Sequence, residues 1–131
     1  MKELYAIVFI ALLMTSCRAS NLVGSFEQAA ALGDAQEKEP AVQVFLQRDL
    51  KPYYKKKYSP VFQSCLASTD HPDSSSFSFV AAIGRDGRVL RLYIDRETNI
   101  FNCVRQTLQR DEFPRPPLSP YYFHITMSFP K

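Results

Sequence analysis

The most constraining stretch of the chain is Phe77 to Ile94, because it admits one local structure. Phe77, Phe79, Ala81 and Ile83 alternate with Ser78, Val80 and Ala82, the period-two pattern of a strand with one strongly apolar face. Gly84-Arg85-Asp86-Gly87-Arg88 follows, and Asp-Gly is a dipeptide that accepts the backbone angles of a tight hairpin turn. Val89 to Ile94 then forms the return strand, with Leu90, Leu92 and Ile94 on one face and Val89, Arg91 and Tyr93 on the other.

The flanking segments change period. Upstream, Pro40 suits a first helical turn, and Val42, Phe45, Leu46 and Leu50 recur at three and four residues as one apolar stripe. Pro52 and Pro60 are expected to interrupt this run, with Tyr53-Tyr54-Lys55-Lys56-Lys57-Tyr58 between them. A second helix is expected from Ser59 to Ala67, with Ser59 as its cap, burying Val61, Phe62, Cys65 and Leu66. Ser68 to Ser76 is a polar turn region. Downstream, Ile100, Cys103, Val104, Thr107 and Leu108 make another helical stripe, capped by Thr98 or Asn99. That helix must stop by Phe113, because Pro114, Pro116, Pro117 and Pro120 cannot continue it. A last strand spans Tyr121 to Phe129, with Tyr121, Phe123, Ile125, Met127 and Phe129 on one side. The order helix, strand, strand, helix, strand predicts an α+β fold with a three-stranded antiparallel sheet.

The chain has 131 residues, a net charge of +3 and 46% hydrophobic residues, which allows one globular domain and excludes bulk disorder. Its start reads differently. Leu4 to Met14 carries no charge, but a membrane-spanning helix needs about 20 apolar residues. The run fits the apolar segment of an export signal instead. Met14-Thr15-Ser16-Cys17 resembles a lipoprotein signal. In that case residues 1–16 are removed and Cys17 carries the lipid at the periplasmic face of the outer membrane. Cleavage after Ala19, removing residues 1–19, gives a soluble periplasmic form instead. Either route leaves Cys65 and Cys103, an even number in an oxidising compartment, which predicts one disulfide. Two buried free cysteines are the alternative. With no paired CxxC, a zinc knuckle and a thioredoxin-like pair are excluded. Residues 17–39 hold few large apolar side chains and are expected to be a tether or loosely ordered lead-in, with a short frayed helix around Phe26 to Leu32. The folded domain is then residues 40–131.

The second half resembles the TonB/TolA C-terminal domain, and especially the TonB-like module of gliding- and adventurous-motility (AgmX/PglI-type) proteins. The residues carrying the likeness are Cys65-Leu66 at a helix end, the strand Phe77 to Ile83, Asp86-Gly87-Arg88-Val89 leading into Leu90 to Ile94, Cys103 in the next helix, Phe113-Pro114-Arg115-Pro116-Pro117, and the closing Met127-Ser128-Phe129. The likeness covers Tyr58 to Phe129. There is no long Pro/Lys-rich spacer of the kind an energy-coupling TonB uses. The resemblance therefore implies a stand-alone, lipid-tethered relative that acts by protein–protein contact, as a monomer or weak dimer.

Candidate sites follow from residue chemistry. Cys65 with Ser64, Asp70 and His71, or His124 with Cys103, contain the groups of a nucleophile and base, but the cysteines are better placed in a disulfide and neither histidine lies in a catalytic motif. Asp70, Asp73, Asp86 and Asp95 do not have calcium-loop spacing, and the glycines form no phosphate loop, so no metal or cofactor is expected. Lys55, Lys56 and Lys57, with Arg91 in a second basic cluster, suit an anionic surface or acidic partner; export argues against nucleic acid. Tyr121, Tyr122 and Phe123 are candidate pocket residues beside a sheet edge open to strand addition. The expected function is non-enzymatic binding in the bacterial envelope. The alternatives are an immunity or inhibitor protein against a toxin or enzyme and, third, a small envelope hydrolase.

Overall fold

The computed structural model describes residues 22–130. The leader, its cleavage positions and Cys17 lie outside them. The elements in chain order are α1 (Phe26–Gln36), α2 (Pro40–Phe45), a π turn (Leu46–Leu50), α3 (Lys51–Ser68), β1 (Phe77–Ile83), β2 (Val89–Ile94), α4 (Asn99–Arg110) and β3 (Tyr121–Met127). The fold is α+β, and its three-stranded antiparallel sheet has the order β2-β1-β3. The central strand is the one whose residues are almost all buried, as a strand covered on both faces must be.

One face of the sheet carries α2, α3 and α4. Here Phe77, Phe79, Ala81 and Ile83 of β1 meet Phe45 and Leu50, Tyr58 and Phe62 of α3, Ile100, Phe101, Val104 and Leu108 of α4, and Tyr121 and Phe123 of β3. Thr98 caps α4 by accepting the Phe101 N–H at 3.0 Å. The hairpin turn forms as read, with Gly87 at φ 86°, a conformation that glycine adopts without strain.

Three expectations need correction. Pro52 and Pro60 do not break the helix: residues 40–68 are one helical run. Pro52 has no N–H for the Arg48 carbonyl, and its ring would crowd that group in an α-helix. The π turn just before it, in which the Lys51 N–H bonds Leu46 O, widens the ladder at that point. Pro60 lies on the exposed side of α3, where water can take the carbonyl left free, while Tyr58, Phe62 and Cys65 hold the other side in the core.

The second correction concerns β2. A register shift at Ala82/Ile83 inserts one residue, so Val89 pairs with Ile83 and packs with Leu92 and Ile94, while Leu90 bulges out and is 48% exposed.

The third is the lead-in. From Phe26 it is an 11-residue helix, capped by Ser25 accepting the Gln28 N–H at 3.1 Å, and it covers the sheet's other face. Ala29 is fully buried against Val80, Ala82, Tyr93 and Tyr122. Gly33 lies so close that a methyl group there would collide with the Tyr122 carbonyl oxygen. Small residues pack here because they let a helix sit flat on a strand. A scan for large apolar side chains cannot see this.

Candidate interaction site

Cys65 and Cys103 form a disulfide, with Cα atoms 5.8 Å apart, joining α3 to α4. Further along the same helix pair, Asp111 leaves the end of α4 and turns inward. Its carboxylate accepts from the Tyr53 hydroxyl (2.6 Å), the Tyr58 hydroxyl (2.6 Å) and the Lys57 ammonium (2.7 Å). Burial pushes the Asp111 carboxyl up, but these three donors outweigh it and hold the group below its ordinary value. The Tyr58 hydroxyl is pushed up by burial and by the neighbouring carboxylate. This cluster is a structural clasp: its donors and acceptor satisfy one another.

Lys57 therefore points to Asp111, and only Lys55 and Lys56 of the basic run remain on the exposed side of α3. Arg91 lies over the Tyr93 ring at 4.8 Å and donates to Val23 O at 3.4 Å, tying down the start of the described chain. Arg96 is bound to Asp73 and Ser76 O, each at 2.9 Å, and the Ser75 N–H and Arg96 together bring the Asp73 carboxyl down to about 2. Arg91 and Arg96 of the second basic cluster are thus taken up by local contacts. Tyr121, Tyr122 and Phe123 are buried rather than exposed at the sheet edge. Tyr121 and Phe123 lie in the main core and Tyr122 under α1, because helices cover both faces of their strand.

Neither cysteine is a free thiol. Both cysteines are in the disulfide, and the His71 carbonyl accepts from Asn99 in an exposed turn. His124 Nδ1 lies 3.1 Å from Asp34 and its ring edges onto Phe26, so it joins α1 to β3. Among the described residues no three His, Cys, Asp or Glu side chains converge as metal ligands.

Among the described residues, no strand pairs with the outer edge of β3. Gln36 occupies its first positions: the side-chain amide donates to Pro120 O at 2.9 Å and accepts the Tyr122 N–H at 2.9 Å. Tyr122 therefore points its main chain away from β1. By antiparallel alternation, His124 and Thr126 do the same. On the main-core side, that edge adjoins a groove of about 380 Å³ between α3 and the end of β3. Tyr54, Phe62 and Leu66 line one wall, Met127 and Phe129 the other. Lys55 lies on the helix face shared by Ser59, Phe62 and Leu66, at spacings of four, seven and eleven residues.

Sequence reading places Met127, Phe129, Phe62 and Leu66 on apolar faces but misses the roles of Gln36, Asp111, Tyr53 and Tyr58. The useful signal was a continuous helix through 53–58, which puts Tyr53, Lys57 and Tyr58 side by side. In comparisons with known proteins, no family model, no curated protein and no solved structure matches the chain.

Proposed function

We propose that the chain is an exported, lipid-anchored binding protein of TonB C-terminal-like type, tethered at the periplasmic face of the outer membrane and acting without catalysis. The observation that carries this reading is the pairing of an open β3 edge at His124 and Thr126 with an adjoining apolar groove. An extended segment of a partner protein adds its main chain to such an edge and its alternate side chains to such a groove. The disulfide supports an oxidising compartment. The order of helix end, Asp-Gly hairpin, cysteine-bearing helix and closing strand supports the TonB-like resemblance.

The test is a cell-envelope pull-down with wild type and Thr126→Pro. Proline removes an outward N–H without touching the β1 ladder, so the variant should fold and lose the specific partner. The Ser78–Thr126 hydroxyl contact of 2.8 Å is lost as well, at a cost of about 1 kcal/mol. Equal recovery by both proteins would remove the edge from the binding site. Recovery of a toxin would favour the immunity protein.

A further inference from the structure

The first described residues are pinned to one side of the sheet. The Tyr93 hydroxyl donates to Val23 O at 2.6 Å, the Val23 N–H donates to the Tyr122 hydroxyl at 3.4 Å, and Leu22 packs against the same cluster. The α3–β3 groove belongs to the opposite side, beyond the sheet. Four residues, Arg18 to Asn21, separate Cys17 from Leu22. Fully extended, the steps from Cys17 to Leu22 reach about 18 Å at most. From Leu22, passing the sheet and the α2–α3–α4 layer takes about 20 Å before any detour round an edge.

We propose that an anchor at Cys17 fixes the direction in which the body faces. The α1 side of the sheet lies against the lipid surface, and the α3–β3 groove opens away from it toward soluble or peptidoglycan-side partners. This rests on the anchored reading of Cys17 given above. The exposed face of α1 carries Glu27 and Asp34 and is not a basic patch, so tether length sets the orientation and headgroup attraction does not.

The experiment uses the lipidated full-length protein in vesicles containing a headgroup-quencher lipid. One fluorophore is placed through Ala31→Cys on the exposed side of α1, another through Gln63→Cys at the rim of the groove. The Ala31 label should be quenched several-fold more than the Gln63 label. A Gly/Ser insertion of about 20 residues between Asn21 and Leu22, with a root-mean-square reach of about 25 Å, should equalise the two. Equal quenching in the lipidated protein without the insertion overturns the orientation alone. An unmodified Cys17, seen by mass spectrometry, overturns the anchored reading and the orientation with it.

Discussion

Asp111 is 4% exposed, a position where a carboxylate is costly unless its hydrogen bonds are satisfied. Here three donors satisfy it and hold its pKa down. The stability it contributes is therefore fully present above the unfolded carboxyl value of about 4 and is lost as pH falls through the lower folded value. Asp111→Asn keeps the shape but offers one acceptor oxygen to three donors. Denaturant unfolding at pH 7 should show a loss of about 1–3 kcal/mol, shrinking below pH 4. A difference that persists unchanged into acid would mean that the carboxylate charge is not what holds the cluster. Sequence alone gives no hint of this residue, since an aspartate after a helix normally faces water. Its partners, Tyr53, Lys57 and Tyr58, lie in the stretch that local reading leaves between two interrupting prolines, Pro52 and Pro60.

Between elements, α3 and α4 are joined twice: by the disulfide toward the end of α3, and by the Asp111 cluster near its beginning. The chain-entropy estimate for closing a loop of this size is about 4 kcal/mol. The double variant Cys65→Ala/Cys103→Ala should lose that order of stability in denaturant melts, with the Asp111 contacts keeping the helices together at rest. A loss below about 1 kcal/mol would mean that the unfolded chain is already restricted by other contacts. Elements with strong periodicity were legible: β1, the turn, α4 and most of β3 lie where Phe77, Asp86-Gly87, Val104 and Phe123 place them. The bulge at Leu90 was not, because one inserted residue reverses the facing of everything before it without altering composition. The continuity of α2 with α3 was not, because the π turn that admits Pro52 has no sequence signature of its own.

For the molecule as a whole, the larger revision is the second core. A body beginning at Pro40 would leave Val80, Ala82, Tyr93 and Tyr122 bare on one side of the sheet. A chain starting there should self-associate in size-exclusion chromatography and melt well below a chain starting at Leu22. A monomer with an unchanged melt would show that α1 is dispensable. The candidate binding edge was legible only in outline, as the edge of a sheet. Which part of that edge stays open depends on Gln36, whose partners lie more than 80 residues away.

Gln36 acts as a counterfeit peptide group, reproducing on a side chain the donor and acceptor of one residue of a fourth strand. It closes the edge at Tyr122 and so sets where any incoming segment must begin. Beyond it, His124 and Thr126 offer their outward N–H and C=O groups, enough for four main-chain bonds, each worth about 0.5–1.5 kcal/mol net. That sum is comparable to the entropic cost of association. On the proposed binding reading, main-chain bonds alone would hold an incoming segment weakly, and selectivity would come from the side chains that fill the α3–β3 groove.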